Sequence, residues 1–203
     1  MSTVIGLSAR QPWNKGKLVG QKKPLKLREI WAIRINLQHR ELAMFNLAID
    51  SKLRACDLVN LRVRDITNGS AIQSRAMVLQ QKTQTSVRFE LMEQTREAQS
   101  KWLQVSGANN NDYLFPNRTD RSNHITTRQY ARIVKRWVTS IGLEASAYGT
   151  HSMRRTKPAL IYKRTKNLRA VQLLLGHTKL ESTVRYLGID VDNALEIAEQ
   201  TEV

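Results

Sequence analysis

His151-Ser-Met-Arg154 sets an imidazole and a guanidinium three residues apart, which on a helix is one face. Arg155 follows directly. The run Leu173-Leu-Leu-Gly176-His177 reads as the end of an apolar helix stopped by glycine, with His177 just past the stop. Tyr186 comes nine residues later, in Thr183-Val-Arg-Tyr-Leu-Gly188. Upstream, Arg54 opens a short apolar-patterned stretch ending at Leu61, and Lys82 precedes Thr83-Gln84-Thr85. Other chemistries lack a handle in this chain. No two of His39, His124, His151 and His177 have metal-ligand spacing, and no paired carboxylates stand beside them. A phosphate-cradling GxxxxGK[ST] loop and a GxSxG nucleophile elbow are both missing from the sequence. What remains is a set of cations and one phenol. Taken singly, each member is ordinary: a solvated arginine, a polar helix end, a half-buried tyrosine. Their order along the chain is the informative part.

The elements that must position this set follow from periodicity. Apolar residues recur at helical spacing over Leu25–Gln38, Glu41–Asp50, Ala55–Leu61, Glu93–Val105 and Thr126–Ile141. Helical patterns continue at Gly149–Lys163, Leu168–Leu175, Leu180–Arg185 and Asp190–Glu199. Between the third and fourth helices the period changes to two. Arg62–Ile66, Ala76–Lys82 and Ser86–Leu91 read as strands, with a turn at Asn68-Gly69. The expected fold is α+β, mainly α, with one small three-stranded antiparallel sheet. Three regions are expected: a flexible basic arm (1–24), a body (25–189) and an acidic amphipathic end (190–203).

The charge supports that division. The chain has 203 residues, 33 Lys+Arg and 17 Asp+Glu, a formal charge of +16. This points to a polyanion partner, nucleic acid or an anionic membrane surface. Residues 1–28 carry seven Lys/Arg and no acid, and residues 146–189 carry nine against one. Residues 190–203 invert the sign with five acids and no Lys or Arg. The single Cys56 excludes a disulfide framework and fits a reducing compartment. No apolar run is long enough to span a bilayer, and the N-terminus lacks a signal peptide's apolar core. A cytoplasmic, nucleoid-associated protein is expected.

The order Arg, Lys, His-x-x-Arg, His, Tyr resembles that of the tyrosine recombinases, or phage-type integrases, from about Leu25 to Leu187. Three blocks carry the resemblance. Leu53-Arg54-Ala-Cys-Asp57-Leu58-Val-Asn-Leu61 is similar to the family's G-hydrophobic-R-x-x-E-L-x-x-L, and His151-Ser-Met-Arg154-Arg155-Thr156 to its H-x-L-R-H/R-T. Leu174-Leu-Gly-His177, followed at nine residues by Tyr186, is similar to its LGH…Y and is the most specific. The size resembles the short fimbrial-switch-like members, which have a catalytic domain alone. The resemblance implies the family's catalytic-domain fold and a site-specific recombinase that breaks and rejoins DNA without cofactor, metal or ATP. It implies that Arg54 and Arg154 clamp the scissile phosphate, where planar bidentate guanidiniums suit a phosphorane-like state. Lys82 would protonate the leaving 5′ oxygen, and His151 would help accept the tyrosine proton. His177 would hydrogen-bond the phosphate or orient the site, and Tyr186 would form a 3′-phosphotyrosine. Lys15, Lys17, Lys22, Lys23 and Lys26 of the arm, with Arg155, are expected on phosphates of double-stranded DNA. A homotetramer on DNA is expected, and the apolar stripe of Val191, Ala194, Leu195 and Ala198 is expected to dock either on a neighbouring subunit or on its own domain.

The sequence departs from the pattern in four places. Lys52 stands where glycine is common, Asp57 where glutamate is, and Lys157-Pro158 where a bulky apolar and a small residue are usual. An interior proline at 158 would remove the N–H that bonds the Arg154 carbonyl. The alternative reading is therefore a DNA-binding member of the same fold that has lost activity. A basic RNA-binding protein would explain the charge but not the ordered set, and type IB topoisomerases share the chemistry without the LGH spacing.

Overall fold

In the computed structural model, residues 21–189 are described, and the expected helix Asp190–Glu199 lies outside them. Helix α2 (His39–Ser51) is central, with every residue from Ala43 to Ser51 buried. It packs against α4 (Glu93–Ser106) and α6 (Thr150–Thr165). Phe45 of α2 meets Trp137 of α5 (Thr127–Thr139) edge-on at 5.4 Å, and Tyr130 closes the same aromatic cluster. Each of these fully buried rings contributes on the order of 3–5 kcal/mol over alanine. Helix α5 starts at Thr126 because that hydroxyl accepts the Gln129 N–H at 3.1 Å while Gln129 Oε1 accepts the Thr126 N–H at 2.7 Å. Helix α1 (Leu27–Ile35) is tied to α2 by Arg34 Nε, which donates to Asn46 Oδ1 at 2.8 Å, and is shorter than expected. The short helix α3 (Ala55–Val59) rests on α5. Helices α7 (Leu168–Leu175) and α8 (Leu180–Leu187) pack on each other and on α6.

The sheet differs from the expectation. It is two separate two-stranded pieces, β1 (Thr67–Asn68) with β2 (Ala71–Ile72) and β3 (Arg75–Leu79) with β4 (Ser86–Glu90). Arg62–Ile66, expected as a strand, contains a 3-10 turn over Val63–Asp65. The reason is local: the Asp65 carboxylate accepts the Arg62 N–H at 2.8 Å, and the Ile66 N–H bonds the Val63 carbonyl. In the β3–β4 hairpin, Ala76 pairs with Phe89 and Val78 with Val87 on the inward face. Strand β3 stops at Leu79 rather than Lys82, and Gln81–Thr83 form the connecting turn.

Helix α6 passes through Pro158 without a break. Residues 21–25, mostly assigned to the arm, run along the body. The Lys23 N–H bonds the Ala147 carbonyl at 2.9 Å, and the Leu25 N–H bonds Thr156 Oγ1 at 3.0 Å.

Candidate active site

Arg54 is the N-cap of α3, placed there by a sharp exit from α2. The exit residue is Lys52, in the left-handed region at φ 55°. This explains why glycine suits that position, since it alone adopts positive φ without strain. The Arg54 guanidinium donates to Gln80 Oε1, and the Thr83 hydroxyl donates to the same oxygen at 2.9 Å. Asp57 Oδ1 accepts the Gln81 N–H at 2.9 Å. Helix α3 thus grips the β3–β4 turn from two sides, which sets the place of Lys82 on that exposed turn.

Arg154 lies on α6, only 3% exposed. Its Nη2 donates to the Leu175 carbonyl at 2.9 Å, where α7 ends. Among the described residues, Arg154 Nη1 is buried with no hydrogen-bond partner, and so is the Tyr186 hydroxyl. The Tyr186 ring is 5.9 Å from the Arg154 guanidinium and 5.5 Å from that of Arg155. His177 meets that ring edge-on and places Nδ1 3.1 Å from Thr183 Oγ1. Its loop is fixed by Gln172 Nε2, which donates to the carbonyls of His177 and Thr178 at 3.0 and 3.1 Å. Gly176 ends α7 at φ 65°, and a Cβ there would stand 2.7 Å from Val87 Cγ2. Only glycine brings the α7 end this close to β4.

The electrostatics follow from packing cations together out of water. Burial pushes the Tyr186 phenol up to about 12, against the pull of Arg154, Arg155 and Arg54. Burial, then Arg154 and Arg54, push His177 down to about 4. His151 is lowered by burial and by Arg154, Arg155, Arg54 and Lys82, so its ring is neutral near pH 7. Arg54 and Arg154 are within electrostatic reach of His177 and Tyr186, and His151 is within reach of Arg54, Arg154 and Lys82. The buried, unpartnered N–H of Arg154 is a donor that an anionic oxygen would satisfy.

The expected DNA contacts fare differently. Arg155 is buried, with Nη1 donating to the Lys22 carbonyl at 2.9 Å and the guanidinium over Tyr186. It joins the Tyr186 ring to the chain at Lys22. Lys22 is also engaged, with Nζ donating to the Ser146 carbonyl at 2.5 Å. Lys23 and Lys26 are exposed, and Lys15 and Lys17 lie outside the described residues. Gln80 was not foreseen. Its signal was present in the alternation, since Ala76, Val78 and Gln80 share one face and the last is polar where the face turns inward.

Among the described residues, no helix is long and apolar enough to cross a membrane. The chain is similar to the probable integrase/recombinase YoeC of Bacillus subtilis, 29% identical over 82% of this chain and 87% of that protein. It is 25% identical to the tyrosine recombinase XerD of Yersinia pestis over 82% of this chain, and it spans 55% of that protein's length. In fold it is similar to the XerA recombinase, with TM-score 0.71, 20% identity and coverage of 87% of this chain and 64% of that one. It is also similar to XerH bound to palindromic difH substrate in a post-cleavage complex, with TM-score 0.70, 19% identity and coverage of 91% and 55%. The match to the phage integrase family model covers residues 25–192 and so takes in every residue converging on Tyr186. By that match this chain belongs to the phage integrase family, the tyrosine recombinases.

Proposed function

We propose that this chain cuts and rejoins double-stranded DNA at specific sites through a covalent 3′-phosphotyrosine on Tyr186. The observation that carries the reading is the convergence of the Tyr186 hydroxyl, His177 and the unpartnered N–H of Arg154 in one buried place. The phenol oxygen forms the new bond to phosphorus and the bond to the 5′ oxygen breaks. Arg54 and Arg154 hold the charge that develops on the non-bridging oxygens. The phenol, pushed up to about 12, gives up its proton during attack, and the neutral His151 helps accept it. Lys82 supplies a proton to the leaving 5′ hydroxyl. One phosphoester replaces another, so the reverse attack by a 5′ hydroxyl of a second strand reseals the backbone without an external energy source. A homotetramer on DNA in the nucleoid is the assembly that strand exchange between two duplexes requires. The likeness to a recombinase in complex with its DNA substrate supports a DNA partner.

The test uses duplexes taken from the DNA adjoining its own gene, nicked so that cleavage releases a short fragment. The wild-type chain should form a covalent adduct on a denaturing gel, and Tyr186→Phe should form none while still binding. DNA binding without any wild-type adduct would establish the inactive, DNA-binding alternative. A 5′-thio leaving group should restore part of the rate lost in Lys82→Ala, because a thiolate leaves without a proton.

A further inference from the structure

Lys52 and Lys157, two departures from the family motifs, meet on the Glu90 carboxylate, and Lys157 also reaches the carboxylate of Asp50. Lys157 Nζ lies 2.8 Å from Asp50 Oδ1 and 2.6 Å from Glu90 Oε1. Lys52 Nζ lies 2.9 Å from Glu90 Oε2 and 2.6 Å from the Asp50 carbonyl. Asp50 Oδ2 accepts the Met92 N–H at 2.9 Å and the Thr95 hydroxyl at 2.5 Å. Lys52 and Asp50 are 1% and 3% exposed. Burial alone would raise the Glu90 carboxyl, but Lys52 and Lys157 outweigh it and hold it below the usual carboxylate range. The chain of alternating charges is neutral overall and almost fully satisfied.

Such a cluster is a poor device for stability, because apolar side chains of similar volume usually do as well or better. Its placement suggests another role. Asp50 lies in the last turn of α2, four residues before Arg54. Glu90 ends β4, the strand that follows the Lys82 turn. Lys157 lies one turn beyond Arg154 on α6. The segment leading into Arg54, the strand that follows the Lys82 turn and the helix that carries Arg154 therefore all send charged side chains into the cluster. The tie to α6 also falls where that helix is weakest, since Pro158 has no N–H for the Arg154 carbonyl.

We propose that Lys157 is a positioning residue that, through Asp50 and Glu90, sets where Arg154 stands relative to Arg54 and the Lys82 turn. The inference rests on the reading of Arg54 and Arg154 as the phosphate clamp. A displacement of about 1 Å at such a site can cost about a hundredfold in rate.

The experiment compares Lys157→Met, Lys157→Arg and Glu90→Gln with the wild type in single-turnover adduct formation at saturating nicked duplex. Gel-shift affinity and melting temperature are measured beside it. Lys157→Met should bind DNA within about twofold of wild type and cleave at least about tenfold more slowly, and Lys157→Arg should recover most of the rate. An uncharged methylphosphonate at the scissile position supplies a readout that general destabilisation would not move. With less charge to clamp, the Lys157→Met penalty should shrink to about threefold or less. An equal penalty on both substrates, or a wild-type rate in Lys157→Met, overturns the proposal. If Lys157→Met does not fold, Glu90→Gln carries the same comparison. No adduct from the wild type is a different result and strikes the enzymatic reading. Crystal structures then decide on Lys157: an unmoved Arg154 in Lys157→Met overturns the proposal, and a shift of about 1 Å supports it.

Discussion

His177 and Tyr186 meet edge to face, 5.4 Å between ring centroids and 85° between planes. The same tyrosine ring has the guanidiniums of Arg154 and Arg155 within 6 Å. Its carbon framework is therefore held by three neighbours, while its buried hydroxyl, close to the Arg154 guanidinium, makes no well-aligned hydrogen bond among the described residues. The ring is fixed by packing and its oxygen is left uncommitted. This is a suitable state for a nucleophile that must reach a phosphorus atom, and an unfavourable one for the resting fold.

Tyr186→Phe should therefore stabilise the free protein as it removes the reaction. A buried polar group without a partner costs about 1–3 kcal/mol, and phenylalanine keeps the ring contacts. Calorimetry should give a higher melting temperature for the variant. A clear fall would mean that the hydroxyl has a partner in solution.

Gln80 holds Arg54 in the free protein through its side-chain oxygen. Gln80→Ala should slow adduct formation by about tenfold with little change in binding, less than the two to three powers of ten expected for Arg54→Ala. Gln80→Glu should be worse than Gln80→Ala, because a carboxylate there competes with the scissile phosphate for Arg54. Single-turnover rates rank the three, and a Glu variant faster than the Ala variant would remove Gln80 from the site.

Pro158→Ala should stabilise the protein and keep or raise its activity. Restoring the helical N–H is worth about 3 kcal/mol. Two buried methylenes are lost at about 0.8 kcal/mol each, which leaves a net gain of about 1 kcal/mol. Denaturant unfolding measures the gain. A strong loss of cleavage would show that the helix geometry at Pro158 is part of the working site.

The His177 ring titrates near 4 in the folded protein, against 6.5 for an ordinary histidine. Between those values the unfolded chain binds a proton that the folded chain refuses. Stability from this group is full above about 6.5 and falls as the pH drops toward 4. His151 acts in the same direction. Melting temperature followed from pH 7 to pH 4 should decline less steeply in His177→Gln than in wild type. Identical slopes would mean that the ring is not buried among cations.

The helices among the described residues and the order of the six candidate residues were legible because both leave periodic or spaced marks on the sequence. Helix α7 has its apolar run, its Asn167 cap and its Gly176 stop within ten residues. What was not legible depends on side chains far apart in the chain. Lys157 meets Asp50 across 107 residues and Lys52 meets Glu90 across 38, so no local pattern announces their cluster. Arg62–Ile66 alternates like a strand, yet the Asp65 carboxylate captures the backbone first. Arg155 reads as a surface cation beside Arg154, but its long side chain folds back over Tyr186 to the Lys22 carbonyl.

That last contact belongs to a seam with a mechanical consequence. Gln21 Nε2 bonds the Arg185 carbonyl at 2.6 Å, one residue before Tyr186. Lys22 takes the Arg155 guanidinium, and Leu25 takes Thr156. Tension applied to the chain upstream of residue 21 would pass first into α8 and α6, the helices that hold the nucleophile and its arginines, before it reached the core around α2. Whatever grips the N-terminal side of this chain therefore has a direct line to the tyrosine.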